Sequence, residues 1–194
     1  ASAQGYLYND LACAGHELCE DASLRVMQSR NYHEMSLQLI ASLPGGGGGG
    51  GALDAHRAKQ YREDAALTHL ALACSYTEDD DEDLRDLQAG IEHYRAALVN
   101  MGVDTPVVPD GGGGGRLAED RTVAQMNLGK ALCRWSASPN SPTAPSRPGS
   151  RETAHEEGRL LIRKAAEAFK GQLGLDVEEI ADMLAPDLLE VLAN

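Results

Sequence analysis

The chain has 194 residues, a length that allows one domain or two small ones with a hydrophobic core. Six tyrosines, one tryptophan and one phenylalanine are its only aromatic residues, and this low content disfavours an all-β fold, which uses more aromatic and β-branched side chains. Thirty acidic residues against 17 basic ones give a net charge of −13, which argues against a general nucleic-acid binder or a protein of anionic membranes, because both need a basic face.

The N-terminal region, residues 5–43, is predicted to hold two helices that meet near residues 20–23. Cys13, His16 and Cys19 are spaced by three along the first of these helices. Zinc takes four ligands, or three and a water, from thiolate and imidazole groups, and no fourth ligand is evident here. We interpret the three residues as helix packing and predict no metal and no cofactor for the chain.

Three segments, 44–51, 102–115 and 136–150, are predicted to be flexible insertions between helices. The first two contain runs of seven and five consecutive glycines, which lose much backbone entropy on ordering and gain little packing. The third contains four prolines among serine, threonine and asparagine residues, a composition typical of loops.

Residues 55–101 are predicted to form a pair of helices, 55–76 and 84–101. In the second helix the apolar residues recur three or four positions apart, which keeps one face of a helix apolar; they are Leu84, Leu87, Ile91, Tyr94, Leu98 and Met101. Between the helices lie six consecutive acids, residues 78–83. This run fails as an EF-hand loop because Leu84 stands at the position of the turn glycine. We interpret it as a solvated loop, with docking of a basic partner as the alternative.

A third pair of helices, 117–135 and 151–173, is predicted to form the unit 117–173. Its second helix opens with Thr153 and Glu156, a candidate capping box. Residues 177–192 are predicted to be a C-terminal capping helix interrupted at Pro186. No stretch shows the period-two alternation of a strand. The predicted fold class is therefore all-α, with antiparallel helix-turn-helix pairs in a single domain spanning residues 1–194.

These pairs resemble the tetratricopeptide repeat (TPR), a helix-turn-helix unit of 34 residues, in degenerate form and with low-complexity insertions. The signature of that family places small residues where the two helices approach and bulky residues in the gap to the next repeat. The residues that carry the resemblance are 31–37, similar to the turn into a second helix; Leu70, Ala71 and Cys74; Gly90, Tyr94, Ala97 and Leu98; Leu128, Gly129 and Leu132; and, more loosely, Ala165 and Phe169.

The resemblance implies a short, right-handed solenoid of stacked pairs, and a plain antiparallel helical bundle is the alternative. A TPR-like solenoid has a concave surface, lined by first helices, that binds a peptide or a helix of another protein. In this chain the lining residues of that partner-binding surface would be Thr68, His69, Ala124, Gln125 and Asn127. The two-carboxylate clamp of the family is not expected, because the lysine and arginine that it needs are missing.

The predicted function is a non-catalytic protein-protein interaction scaffold or a subunit of a larger assembly. Its partners are expected to be other proteins, bound as a peptide or helix, with no nucleic acid. The alternative is an oligomerising or assembly-factor subunit that uses the apolar seam of residues 84–101. No G-x-S-x-G, Walker A or H-E-x-x-H motif occurs, and no strand precedes either polyglycine run, so neither is a phosphate loop. We therefore predict no enzyme activity and no catalytic residue.

The cysteines and the hydropathy pattern bear on the compartment. Cys13 and Cys19 would lie roughly 9 Å apart on one helix, too far for a disulfide, and the four cysteines do not resemble a secreted disulfide framework. No apolar run approaches the roughly 18 residues that cross a bilayer. We expect no membrane insertion and an intracellular, reducing compartment: the cytoplasm or nucleus, or an organelle if a transit peptide was removed.

Overall fold

The computed structural model of the chain describes residues 22–42, 52–77, 85–102, 115–138, 151–184 and 188–193. Helices form every regular element in these ranges, which confirms the predicted all-α class. In chain order the helices are α1 (Ala22–Ser42), α2 (Ala52–Thr77), α3 (Leu87–Asn100), α4 (Gly115–Ala137), α5 (Arg151–Leu173), α6 (Val177–Asp182) and α7 (Glu190–Ala193).

The helices are distributed over two compact units. The first unit, Ala1–Thr105, contains α1 to α3, and the second unit, Pro106–Asn194, contains α4 to α7. Each unit has its own helical hairpin, α2–α3 in the first and α4–α5 in the second. The predicted helix over 151–173 has the same bounds as α5, and the helix predicted over 84–101 is found as Leu87–Asn100.

In the first unit, α2 and α3 run antiparallel. The carbonyl of Tyr76, next to the end of α2, accepts a hydrogen bond from the N–H of Asp86, just before α3. His69, which lies earlier in α2, contacts His93, which lies later in α3. The side chain of Asp86 also accepts from the N–H of Ala89 and so caps α3. The apolar core of this unit is formed by Ala65, Ala66, Leu72, Ala73, Ile91, Tyr94, Ala97, Leu98 and Met101.

Gly90 determines how closely α3 approaches α2. A Cβ atom at this position would overlap Cγ2 of Thr77 and would lie 3.4 Å from the carbonyl oxygen of Ala73. Only glycine therefore fits while the Thr77 side chain keeps this position. One turn later Tyr94 is fully buried, and its hydroxyl lies 3.2 Å from the hydroxyl of Thr77.

The remaining helix of this unit, α1, packs on α2 with a polar face. Ser29, His33 and Ser36 are all buried and lie on one side of α1, since they are spaced by four and three residues. Residues 31–37, predicted to be a turn into a second helix, lie inside α1, so that prediction was wrong. The helix continues because residues 22–43 contain neither glycine nor proline to end it.

In the second unit, α4 and α5 form an antiparallel pair that is closely packed at two glycines. Gly129 of α4 lies opposite Gly158 of α5, and near the end of α4 the hydroxyl of Ser136 lies 3.2 Å from Nδ1 of His155. The hydrophobic core of this unit consists of Met126, Cys133, Ile162, Ala165, Phe169, Ile180, Leu184, Leu188 and Val191.

The C-terminal segment turns back onto this core through a short connection. Gly174 follows α5 with a φ of 68°, a left-handed conformation that favours glycine. Asp176 then caps α6 and forms a capping box with Glu179. The capping box predicted at Thr153 was misplaced, because α5 begins at Arg151 and Thr153 is already inside its first turn.

Several predictions concern residues outside the described ranges. The structure describes the edges of two predicted insertions. There, residue 115 and residues 136–137 belong to α4, so this helix is longer at both ends than predicted. The rest of the insertions at 44–51, 103–114 and 139–150 lies outside the described residues, as do the Cys13, His16 and Cys19 group and the acidic run at 78–83. Across the described ranges, no helix combines the length and apolar character required to cross a bilayer.

Candidate functional site

Three helices of the first unit contribute side chains to one polar and aromatic group, which we call the histidine–tyrosine cluster. It consists of Arg30 and Glu34 from α1, His69 and Tyr76 from α2, and His93 from α3. Glu34 is exposed and the other four side chains are half-buried. The cluster therefore combines fixed contacts inside the unit with edges that reach solvent.

A direct hydrogen bond between two imidazole rings joins α2 to α3. The Nδ1 atoms of His69 and His93 are 2.9 Å apart, and the ring centroids are 5.2 Å apart. One Nδ1 must donate and the other accept, so this contact holds a single proton. The close approach of the helices at Gly90, three residues before His93, brings the two rings within reach.

Tyr76 connects the imidazole pair to α1. Its ring stacks on His93 with an interplanar angle of 3°, and the guanidinium carbon of Arg30 lies 4.0 Å from its centroid, a cation–π contact. The hydroxyl of Tyr76 donates to Oε1 of Glu34 at 3.5 Å. Arg30 is itself held by α2, because its Nε donates to Oγ of Ser75 at 3.3 Å and its Nη2 donates to the carbonyl of Ser75.

The surroundings favour neutral imidazoles. Burial, followed by the charge of His93, lowers the pKa of His69 from 6.5 to about 4. Burial also lowers the pKa of His93, against the opposing effect of the Glu34 and Glu92 carboxylates, which favour its charged form. Near neutral pH the pair is therefore uncharged, and Arg30 is the positive charge of the cluster.

An exposed methionine extends the cluster along α1. Met27 is 54% exposed, and it precedes Glu34 by seven residues, which places the two about 20° apart around the helix. Arg30 lies between them in sequence and is offset from Met27 by about 60°. We call the surface formed by Met27, Arg30, Tyr76 and His93 the docking face.

Two of the predicted partner-binding residues, Thr68 and His69, lie in the first unit. Thr68 is fully buried, and its hydroxyl donates to the carbonyl of Asp64 at 2.8 Å. Its side chain therefore supports α2 and offers no contact area in this conformation. His69 is half-buried and belongs to the histidine–tyrosine cluster.

The other three predicted residues, Ala124, Gln125 and Asn127, lie on α4 in the second unit. Ala124 is fully buried, whereas Gln125 and Asn127 are half-buried. Asn127 accepts a hydrogen bond through Oδ1 from Nζ of Lys130 at 3.2 Å, which is a contact within the same helix. Of these three residues, Gln125 and Asn127 have side-chain surface to offer and Ala124 has none.

Sequence reasoning singled out His69 and missed the residues around it. Tyr76 follows His69 by seven residues, a spacing that places both on one face of α2, and this signal was available in the sequence. The partnership with His93 was not, because it depends on the register between α2 and α3. Among the described residues, no group of three or more His, Cys, Asp or Glu side chains is arranged to hold a metal ion.

The apolar seam that could have joined copies of the chain is used inside the first unit. Ile91, Tyr94, Leu98 and Met101 are all buried in the single chain. In this conformation these side chains are not accessible to a second copy.

Comparison with known proteins gave no match: no family model matches the chain, and no curated protein or solved structure does.

Proposed function

We propose that the chain is a non-catalytic interaction module that binds a peptide or a helix of another protein, and that it does so at the docking face. The proposal rests on two observations: Met27 is exposed on α1, one turn before Arg30, and the side chains of Arg30, Tyr76 and His93 are stacked on one another. Methionine, aromatic residues and arginine are enriched in protein interfaces, whereas lysine and glutamate are depleted.

The side chains of the docking face are already ordered in the free chain. Arg30 is fixed by two hydrogen bonds to Ser75 and by the ring of Tyr76, which is stacked in turn on His93. Prior ordering of this kind supports binding, because a rigid surface loses less conformational entropy when a partner arrives. Met27 adds an adaptable apolar contact beside this rigid part.

The charge of the chain favours a basic partner. With a net charge of −13, the chain attracts positively charged segments over long range and accelerates their association. Glu34, exposed at the edge of the docking face, gives such a segment a local anionic contact. The same proposal includes membership of a multi-protein complex in a reducing compartment, where the thiols of Cys74 and Cys133 stay outside disulfides.

The TPR-like arrangement is also part of the proposal. In the α2–α3 hairpin the matched residues Gly90, Tyr94, Ala97 and Leu98 are all buried, and in α4 the matched Gly129 touches α5. Both observations support small residues acting as helix-contact positions, the role they have in that repeat. Small-angle scattering that resolves hairpins stacked side by side would support the solenoid, and scattering from independently moving units would contradict it.

A pair of matched variants tests the docking face. Met27→Lys introduces a positive charge at its exposed edge, which repels a basic partner, and Val99→Lys makes the same change at another exposed apolar residue, which is 77% exposed. Val99 lies six residues after His93, about 240° around α3 and so away from the cluster. Both variants are compared with the wild type for capture of partners from an extract of the source cells, after circular dichroism has confirmed equal helicity.

The proposal predicts that Met27→Lys loses a protein that the wild type and Val99→Lys both retain. Equal capture by all three proteins would contradict it. Light scattering on the purified wild type and Met27→Lys separates the oligomeriser alternative, since a stable self-oligomer that Met27→Lys leaves intact would favour that function instead.

A further inference from the structure

The imidazole pair is a contact whose geometry depends on its proton count. With Nδ1 of His69 only 2.9 Å from Nδ1 of His93, a proton on one nitrogen makes a hydrogen bond to the other. The contact persists when one ring carries an extra proton and becomes imidazolium, because Nδ1 of the other, neutral ring still accepts the hydrogen bond. When both rings are imidazolium, two N–H groups and two positive charges face each other, and the hydrogen bond is lost.

We infer that the His69–His93 pair is a proton-operated latch, which holds α2 against α3 while at least one ring is neutral and releases the contact when both rings are protonated. The latch joins the two helices of the hairpin on the side that also carries Tyr76. Its release therefore disturbs the docking face as well as the helix contact. The inference stands on the geometry of the pair and does not require the proposed binding function.

The charged and titratable groups around the pair decide which ring is protonated first. The charges of Glu34 on α1 and Glu92 on α3 act on His93. Those of Arg30 on α1 and Asp86, the N-cap of α3, act on Tyr76, which stacks on His93. Glu34 and Glu92 both raise the proton affinity of His93, and His69 lacks such a carboxylate among the causes of its shift. On acidification His93 binds the first proton and becomes charged, and its Nδ1–H then donates a hydrogen bond to Nδ1 of His69.

The second proton opens the latch. It must bind the half-buried His69 next to an already charged His93, and burial together with this repulsion lowers the pKa of His69 to about 4. A histidine whose pKa is lower in the folded than in the unfolded chain contributes stability that is complete above the unfolded value near 6.5. That contribution is lost progressively as the pH falls from about 6.5 to about 4.

A histidine NMR titration of the full chain tests the inference directly. We expect the ring signals of His69 to titrate near pH 4 in the wild type. In His93→Gln, which removes the neighbouring charge, we expect the pKa of His69 to rise by about one unit, the order of effect of a like charge a few ångströms away. A pKa of His69 near 6.5 in the wild type, or no change in His93→Gln, would overturn the inference.

Urea unfolding gives a second readout that does not depend on spectral assignment. The urea midpoint is compared at about pH 7 and about pH 4.5 for the wild type, His69→Gln and the control His56→Gln, which removes an exposed histidine of the same helix. The latch predicts that His69→Gln loses less stability on acidification than the wild type, and that His56→Gln loses the same amount as the wild type. Equal losses in all three proteins would overturn it.

Discussion

Gly129 and Gly158 touch backbone to backbone where α4 crosses α5. A Cβ atom on Gly129 would lie 2.7 Å from the carbonyl oxygen of Gly158, and a Cβ on Gly158 would lie 2.7 Å from the carbonyl oxygen of Gly129. Both distances are shorter than a normal van der Waals contact, so neither position accepts a side chain at this separation of the helices. The two glycines therefore fix the spacing on which the core of the second unit depends.

We predict that Gly129→Ala lowers the free energy of unfolding by about 1 to 3 kcal/mol, the range for overpacking a close contact. The higher helix propensity of alanine, worth at most about 1 kcal/mol, does not compensate for this loss, because the atoms that must move include backbone atoms of α5. The control is Gly171→Ala in α5, where an added Cβ meets no atom within 4 Å. Urea unfolding should show Gly171→Ala to be neutral or stabilising; equal destabilisation by both changes would contradict the packing.

The contact between Gly90 and Thr77 predicts that a change at Thr77 restores stability lost in Gly90→Ala. Gly90→Ala alone should destabilise the first unit, since the new methyl group overlaps Cγ2 of Thr77. Thr77→Ser removes Cγ2 but keeps the hydroxyl that donates to the carbonyl of Ala73 at 2.9 Å. With Cγ2 gone, the next atoms lie 3.4 and 3.5 Å from the added Cβ, which are ordinary contacts.

The double variant Gly90→Ala/Thr77→Ser should therefore be more stable than Gly90→Ala by about 1 kcal/mol or more, although Thr77→Ser alone costs about 0.8 kcal/mol for the lost methyl group. A double-mutant cycle from urea unfolding measures the coupling energy. Additive effects of the two changes would show that the side chains do not meet.

The capping box at the start of α6 predicts a local loss of stability. In Asp176→Ala the N–H of Glu179 loses its side-chain acceptor, which costs about 1 kcal/mol. Asp182→Ala, at the exposed end of the same short helix, is the control and should change stability little. The measurement is the thermal unfolding midpoint of both variants, and a larger loss for Asp182→Ala would be inconsistent with this role.

Tyr76 predicts a change of stability at alkaline pH. Burial, followed by the charge of Glu34, raises its pKa above the ordinary value of 10, and Arg30 acts in the opposite direction. A raised pKa in the folded chain means that the stabilising contribution is complete below pH 10 and is lost as the pH rises beyond it. The difference in ultraviolet absorbance between the wild type and Tyr76→Phe during an alkaline titration should show this late ionisation; a value at or below 10 would refute it.

The parts of the fold that were predictable are those governed by local periodicity. The apolar spacing through Ile91, Tyr94 and Leu98 predicted α3 to within three residues at each end. A helix is the conformation that places apolar residues with this spacing on a single face, where they can be buried together. The resemblance to the TPR signature implied Gly90 and Gly129 as positions of close approach, and both lie against the partner helix of their hairpin.

The histidine–tyrosine cluster could not be predicted, because it depends on how three helices are aligned. A shift of α3 by one turn along α2 would separate His69 from His93 without altering any helical pattern in the sequence. The turn predicted at residues 31–37 by the TPR-like match does not form, because that stretch contains no glycine or proline to break the helix. Thr68 and Ala124 were placed on a surface, yet both point into the protein.

The most direct test of the docking face is site-specific photo-crosslinking. A photoreactive phenylalanine analogue replaces Met27 in one protein and Val99 in a second, and both are irradiated in an extract of the source cells. The account predicts a defined cross-linked protein from position 27 that is missing from position 99 and is competed away by excess unlabelled wild type. Cross-links of the same protein from both positions, or none from position 27, would contradict it.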